Sequence, residues 1–214
     1  MITSIQIEPV RIQFHQAVAE LMAYGFGHQF QKITSLSTYD LAYVFEQLLK
    51  HPAKEQHTLR VIARHNEEIV GTMGLKWKEA SNRAAITTLH TNSHWWSKCN
   101  RIGNWKLLQL IIGLHLLKHT PELHECYVED LVVHPQHQGK GIGTLLLQWA
   151  QRYMLQSRAL SFLSLHVASH NYHAIQLYER HQFRKQRSTN SFLTGLLLDE
   201  NQWHYMTYEG DFYV

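Results

Sequence analysis

Cysteine is scarce in this chain: two residues, Cys99 and Cys126, in 214. That excludes a disulfide-dense scaffold and a zinc site built from four thiolates. Proline is scarce as well, with four, at Pro9, Pro52, Pro121 and Pro135. No Pro-, Gly- or Ser-rich linker, repeat or low-complexity tract divides the sequence. No apolar run reaches the ~18–20 residues of a membrane span; the stretch from Leu107 to Leu117 is broken by Gln109, Gly113 and His115. Charge of one sign is missing too. A net charge of +3 and a pI near 8.8 are too mild to argue for nucleic acid or an anionic membrane. Met1 to Glu8 lacks the charged region and apolar run of a signal peptide, so a cytoplasmic location is the expectation.

What is present suffices for a core: 44% apolar and 17% charged residues, a balance against disorder. The length fits one domain, or one domain with an elaboration. Histidine is abundant, with 17 copies. These add positive charge as pH falls through about 6.5, or simply reflect surface usage. The pairs His134/His137 and His170/His173 match no zinc spacing, so no metal is expected.

Periodicity sets out the elements. Ser4 to Glu8 alternates and reads as a strand. Val10 to Tyr24 places Phe14, Val18, Leu21 and Met22 at helical spacing, and Gly25 and Gly27 break the pattern. Thr38 to Leu49 is a second helix, with Pro52 past its end. Thr58–Arg64 and Glu68–Trp77 read as a hairpin turning at His65-Asn66-Glu67. Glu125–Val133 is a further strand, Gly141–Leu155 a helix, Ser161–Ala168 a strand and Tyr172–His181 a helix. Phe183–Leu198 and Trp203–Tyr208 form a closing hairpin. The strand–helix–strand unit over 125–168 implies a parallel crossover. The fold expected is α/β (α+β), a mixed sheet with helices on both faces. Residues 83–120, with Trp95, Trp96 and Trp105, are too long for a simple connection and read as a helical insertion in a single domain over 1–214.

The informative segment runs from Tyr127 to Leu147: a strand, a short loop, then Gly139, Gly141 and Gly143 at every second position opening a helix. Glycine permits positive φ and close backbone approach. The first helical turn offers free N–H groups and the positive end of the dipole, a cradle for a pyrophosphate. It is not a Walker A loop, because Lys140 precedes Gly141 and no Gly-Lys-Ser/Thr exists. It is not a dinucleotide fingerprint either, since the third glycine comes one residue early and no acid lies near Leu163.

Gln138-Gly-Lys-Gly-Ile-Gly resembles the [QR]-x-x-G-x-[GA] loop of the GNAT superfamily of N-acetyltransferases. Val133-His-Pro before it resembles the exit of that family's fourth strand. Leu165 to Phe183 is similar to its fifth strand and fourth helix, N-x-x-A-x-x-x-Y-x-x-x-G-F, with Asn171, Ala174, Tyr178 and Phe183 in register and Gln182 in place of the glycine. The resemblance covers 125–184 and implies a mostly antiparallel central sheet and an acetyl-CoA-dependent N-acetyltransferase. Backbone groups of Leu131 and Val133 would then pair with the pantetheine arm. Amides from Gln138 and Gly139 through Lys140, Gly141, Ile142, Gly143 and Thr144 would hold the pyrophosphate, with Lys140 adding charge or simply solvated. Asn171 would hydrogen-bond the arm. Tyr178 would be the general acid for the leaving thiolate.

Tyr127-Val-Glu-Asp is similar to the Tyr-Leu-Glu-Asp of diamine and polyamine acetyltransferases, which implies Glu129 as the base, with Asp130 second. Strand alternation sends the two to opposite faces unless a bulge intervenes. His134 and His166 are other bases in range of neutrality. The acceptor expected is a primary amine of a small molecule, lined by Tyr24, Phe26, His28 and the three insertion tryptophans. A noncatalytic acyl-CoA-binding or sensor domain and an enzyme acting on a protein amine are the alternatives. The closing hairpin and the insertion are candidate surfaces for a homodimer. Cys126 is expected to pack.

Overall fold

The computed structural model describes residues 5–30, 34–51, 57–78, 103–198 and 200–210. Ser4, Trp95, Trp96 and Cys99 lie outside them. Seven strands form one sheet: β1 (Gln6–Pro9), β2 (His57–His65), β3 (Glu68–Trp77), β4 (Glu125–Val133), β5 (Phe162–Ala168), β6 (Arg184–Asn190) and β7 (Gln202–Glu209). Their spatial order is β1-β2-β3-β4-β5-β7-β6. Every adjacent pair is antiparallel except β4–β5, which the helix between them joins as a parallel crossover. The expected mixed, mostly antiparallel sheet is what forms.

The helices are α1 (His15–Phe30), α2 (Thr38–Lys50), α3 (Asn104–Leu116), α4 (Ile142–Gln156), α5 (Tyr172–Arg180) and α6 (Phe192–Leu198). On one face of the sheet, Ile142, Leu146, Leu147, Ala150 and Met154 of α4 and Tyr178 of α5 pack on Val61, Met73, Leu75, Val128 and Leu165. On the other, Val18, Leu21 and Met22 of α1, Leu41, Val44 and Phe45 of α2, and Leu107 and Leu110 of α3 pack on Ile62, Ile69 and Val132. Alternation along β2 and β4 sends neighbouring residues to opposite layers, so both cores are written into the same strands.

Two expectations are corrected. Gly25 and Gly27 do not end α1, which continues to Phe30. At Gly25 a Cβ would stand 2.6 Å from Val132 Cγ1; glycine there lets the helix press onto β4. The second concerns Phe183–Leu198. β6 stops at Asn190, and Ser191 caps a helix by accepting from the Thr194 N–H at 3.3 Å. The apolar run from Phe192 is therefore helical, and of residues 183–198 the exposed, polar β6 is the part that pairs with β7.

The two glycines of α1 make opposite predictions. Gly27 has nothing within 4 Å of a Cβ, so Gly27→Ala should raise stability by about 0.5–1 kcal/mol. Gly25→Ala should lower it by about 1–3 kcal/mol through overpacking. Urea denaturation of both variants checks the pair; equal effects would mean that α1 does not rest on Val132.

Candidate functional site

The site begins where the sheet comes apart. β4 and β5 pair only from Glu125–Tyr127 to Phe162–Ser164. β5 goes on pairing with β7 as far as Ala168, and β4 with β3 as far as Val133. Beyond Tyr127 the two strands part. His134 N–H donates to Val70 O on the β3 side, so alternation turns the main-chain groups of Val133 and Leu131 toward the parting. There Val133 O accepts from Gln138 Nε2 at 3.2 Å.

A bulge lies at the same place. Gly74 stands opposite Asp130 and Leu75 opposite Val128, which leaves Glu129 as the extra residue. Val128 belongs to the α4 face. Glu129 and Asp130 both bond to side chains of the opposite face, Lys76 and Arg60. The bulge allowed for above does intervene, and it absorbs one step of the alternation. Their surroundings differ. The Asp130 side chain is 8% exposed and is bound bidentately by Arg60 at 2.6 and 2.7 Å. Burial works against the Arg60 charge, but the Asp130 carboxylate outweighs it and raises the guanidinium pKa. A Cβ at Gly74 would meet Arg60 Nη2 at 2.8 Å, so glycine makes room for the pair. Glu129 keeps a side chain 45% exposed and takes Lys76 Nζ at 3.1 Å. The Lys76 ammonium is buried over the Tyr127 ring.

Tyr178 comes to the parting from the other layer. It packs on Phe183 in the α4–α5 core. Burial, with the Asp130 charge, pushes its hydroxyl up to about 12, and it keeps its proton through the neutral range. Tyr127 and Asp130 lie within electrostatic range of it.

The glycine loop adopts the form its composition implies, with one refinement. Gly139 and Gly141 have φ of +73° and +82° and open space around them. Gly143 is ordinary helix; a Cβ there would press on Leu177 Cδ2 at 3.0 Å, so it serves helix packing. The first intrahelical bond runs from Leu145 N–H to Gly141 O. The N–H groups of Ile142, Gly143 and Thr144 are left without a helical partner, and no side chain caps them. Ile142 buries its side chain while its amide stays at the cradle. Thr144 Oγ1 lies 3.3 Å from His181 Nε2. Lys140 is exposed. Asn171, also exposed, caps α5 by accepting from Ala174 N–H at 3.2 Å.

Sequence reasoning missed a polar network beside the parting. Glu125 is fully buried at the start of β4 and accepts from His119 Nε2 at 2.8 Å, Tyr205 at 3.1 Å, the Glu122 N–H at 2.6 Å and Ser164. Burial favours its neutral form, but the donors outweigh that and hold its pKa at about 2. The His119 ring lies 4.3 Å from that of Tyr127 and 5.2 Å from that of His166. His166 Nδ1 lies 3.2 Å from the Tyr127 hydroxyl. Burial, then the neighbouring His119, lowers His166 to about 4, so it is neutral at pH 7. The signal available beforehand was charge in the wrong place: Lys76 and Glu125 sit inside runs that otherwise read as core. The expected aromatic lining is dispersed. Tyr24 stacks on His134, Phe26 packs on Phe45, and His28 and Trp105 are exposed. Cys126 packs as expected, its thiol pushed up to about 12 by burial.

A parted β4–β5 pair, a bulge beside it and an uncapped helix behind a glycine loop define a class. Residues 99–183 match the model of the acetyltransferase (GNAT) family. No curated protein matches the sequence. Its fold is similar to that of a GNAT-family acetyltransferase from Streptococcus pneumoniae, at 16% identity and TM-score 0.51 over 97% of this chain and 100% of that one. It is similar also to a spermidine N-acetyltransferase from Vibrio cholerae, at 16% and 0.55 over 96% and 93%. A third likeness is to NAA60 of Arabidopsis thaliana, solved with a bisubstrate analogue, at 18% and 0.55 over 96% and 98%.

Two predictions follow from the carboxylates. Asp130→Ala strands a buried guanidinium and should cost about 3–5 kcal/mol in urea denaturation. Glu125 has a folded pKa of about 2 against 4.5, so its contribution is complete above about pH 4.5 and is lost as pH falls toward 2. Wild type should therefore lose more stability than Glu125→Gln between pH 5 and pH 3; parallel losses would show that the network does not hold Glu125 ionised.

Proposed function

We propose that the protein is an acetyl-CoA-dependent N-acetyltransferase that transfers an acetyl group directly to a primary amine of a small molecule. The observation that carries this reading is the coincidence, at one end of the sheet, of an unpaired β4 edge and three unpartnered amides at a glycine-opened helix. The first suits an extended amide-bearing arm, the second a pyrophosphate. Main-chain groups of Leu131 and Val133 take the pantetheine arm. The loop from Gln138 and Gly139 to Thr144 takes the phosphates, and Lys140 adds charge at its rim. The Asn171 amide nitrogen, which its capping role leaves free, supports the arm.

Bound acetyl-CoA supplies the activated acyl group; the chain's residues supply position and proton movement. Tyr178, protonated at neutral pH, donates to the departing thiolate. Glu129 accepts the proton that the attacking amine must lose, directly or through one water. Its exposure and its place on the bulge suit this role; Asp130 is committed to Arg60. A second reading of the base stands on a separate observation. Glu125 fixes His119 through Nε2, a carboxylate orienting an imidazole, beside Tyr127 and the neutral His166. The acceptor class follows from the carboxylate at the mouth, which favours a cationic amine. One catalytic domain with a helical insertion accounts for the chain.

The first test is a thermal-shift titration with acetyl-CoA, CoA and ADP. Saturable stabilisation of about 2.7 kcal/mol at 100 times Kd is expected for a native-state ligand; no shift in folded protein would overturn the cradle. Thiol release with spermidine and with a peptide bearing a free N-terminus then separates small-molecule from protein acceptors. Acetyl-CoA binding with no turnover on either favours a sensor domain. Tyr178→Phe should keep acetyl-CoA affinity within a few-fold and lower kcat, and an unchanged kcat removes it as the acid. Glu129→Gln should lose most activity at low pH, where less amine is free. If His119→Ala does so instead, the base is His119.

A further inference from the structure

Glu68, at the start of β3, and His134 and His137, of the turn after β4, converge outside the acetyl-transfer residues named above. Their ligand-type atoms lie within 4.8 Å of one another. Glu68 follows the two-residue turn between β2 and β3, where Asn66 has φ +56°. His134 and His137 bracket the short 3-10 turn between β4 and α4, Pro135–His137. His137 Nε2 stands 3.7 Å from Glu68 Oε2. That is too far for a hydrogen bond and close to the separation of two ligands on one ion, about 3.3 Å for tetrahedral bonds of 2.0–2.1 Å. Among the described residues, neither the Glu68 carboxylate nor the His137 ring has a hydrogen-bond partner. The His137 side chain is only 15% exposed, and the rings of His134 and His65 lie 5.8 and 5.9 Å from it.

We propose that Glu68, His134 and His137 bind a zinc ion. The donor chemistry selects the metal. Two imidazoles and one carboxylate suit a borderline ion of the zinc type, whereas magnesium and calcium require sets of oxygens. One carboxylate against a dication leaves the centre cationic, and water completes the tetrahedron. His134 bears a cost: its Nδ1 accepts from the Gln136 N–H at 3.3 Å, and metal ligation displaces that weak neutral contact. The spacing His134-x-x-His137 alone matches no zinc motif; the fold adds the third ligand from sixty-odd residues away. The ion would tie the β2–β3 turn to the loop that leads into Gly139 and so brace the cradle from outside.

The test uses the whole chain, stripped with chelator, and zinc chloride titrated against a chromogenic competitor. One tight zinc per chain is expected. Loss of an outer-shell partner alone costs about 10–100-fold in affinity, so Glu68→Gln and His137→Ala should each weaken binding by at least about 10-fold. His170→Ala/His173→Ala should leave it unchanged. Glu68 lies on an exposed turn, so Glu68→Gln reports even if His137→Ala fails to fold; melting temperatures without zinc check this. No stoichiometric binding, or full affinity retained in either Glu68→Gln or folded His137→Ala, overturns the site. None of these readings depends on acetyl-CoA, so they stand or fall apart from the proposed activity.

Discussion

Everything of functional interest in this chain depends on β4 leaving β5 after Tyr127. A sheet that stayed paired would have no free edge for an extended ligand. Three features maintain the separation. The bulge at Glu129 bends β4. The Arg60–Asp130 pair ties the strand to β2 and β3 just past the bulge. β7 holds β5 along its whole length, so β5 cannot follow β4. Gly74 is the small residue that makes the arrangement possible, because any side chain there would occupy the space of the ion pair.

The separation also exposes strand interiors that would otherwise be covered, and the polar network answers this. Around Glu125 every oxygen has its donors, which is the condition under which a buried carboxylate is tolerated. The segment after α3 is pinned there through His119 and the Glu122 amide. One buried charge thus fixes the segment after α3 against the same strands that form the candidate site.

The glycine loop was legible in the sequence because its chemistry is backbone chemistry, and positive φ is written directly in residue type. The strands and the parallel crossover were legible because their periods are short and unbroken. The errors share one cause. Gly25 read as a helix breaker, and Phe192–Leu198 read as strand, because glycine and apolar runs are ambiguous without knowledge of what packs on them. The bulge is a tertiary event, and it sets the surroundings of the two carboxylates, Glu129 half-exposed on Lys76 and Asp130 held by Arg60; alternation alone placed them on opposite faces. The Glu125 network draws residues from β4, β5, β7 and the loop after α3, and no local pattern joins them.

Histidine abundance shows the same limit in composition. The reading that acid simply charges the surface fails for the histidines that the fold perturbs. Burial lowers His15, His166 and His181, with His166 reaching about 4. A histidine held neutral in the fold but free to ionise when unfolded favours the unfolded state once pH drops below about 6.5. For His166 that loss accumulates from about 6.5 down to about 4. Glu125, whose folded pKa is depressed, continues the loss from 4.5 toward 2. The two groups lie in one network and act in sequence on the same side of neutrality. His166 and Glu125 thus place part of the acid sensitivity in the strands flanking the β4–β5 parting, and His15 and His181 add to it from α1 and the end of α5.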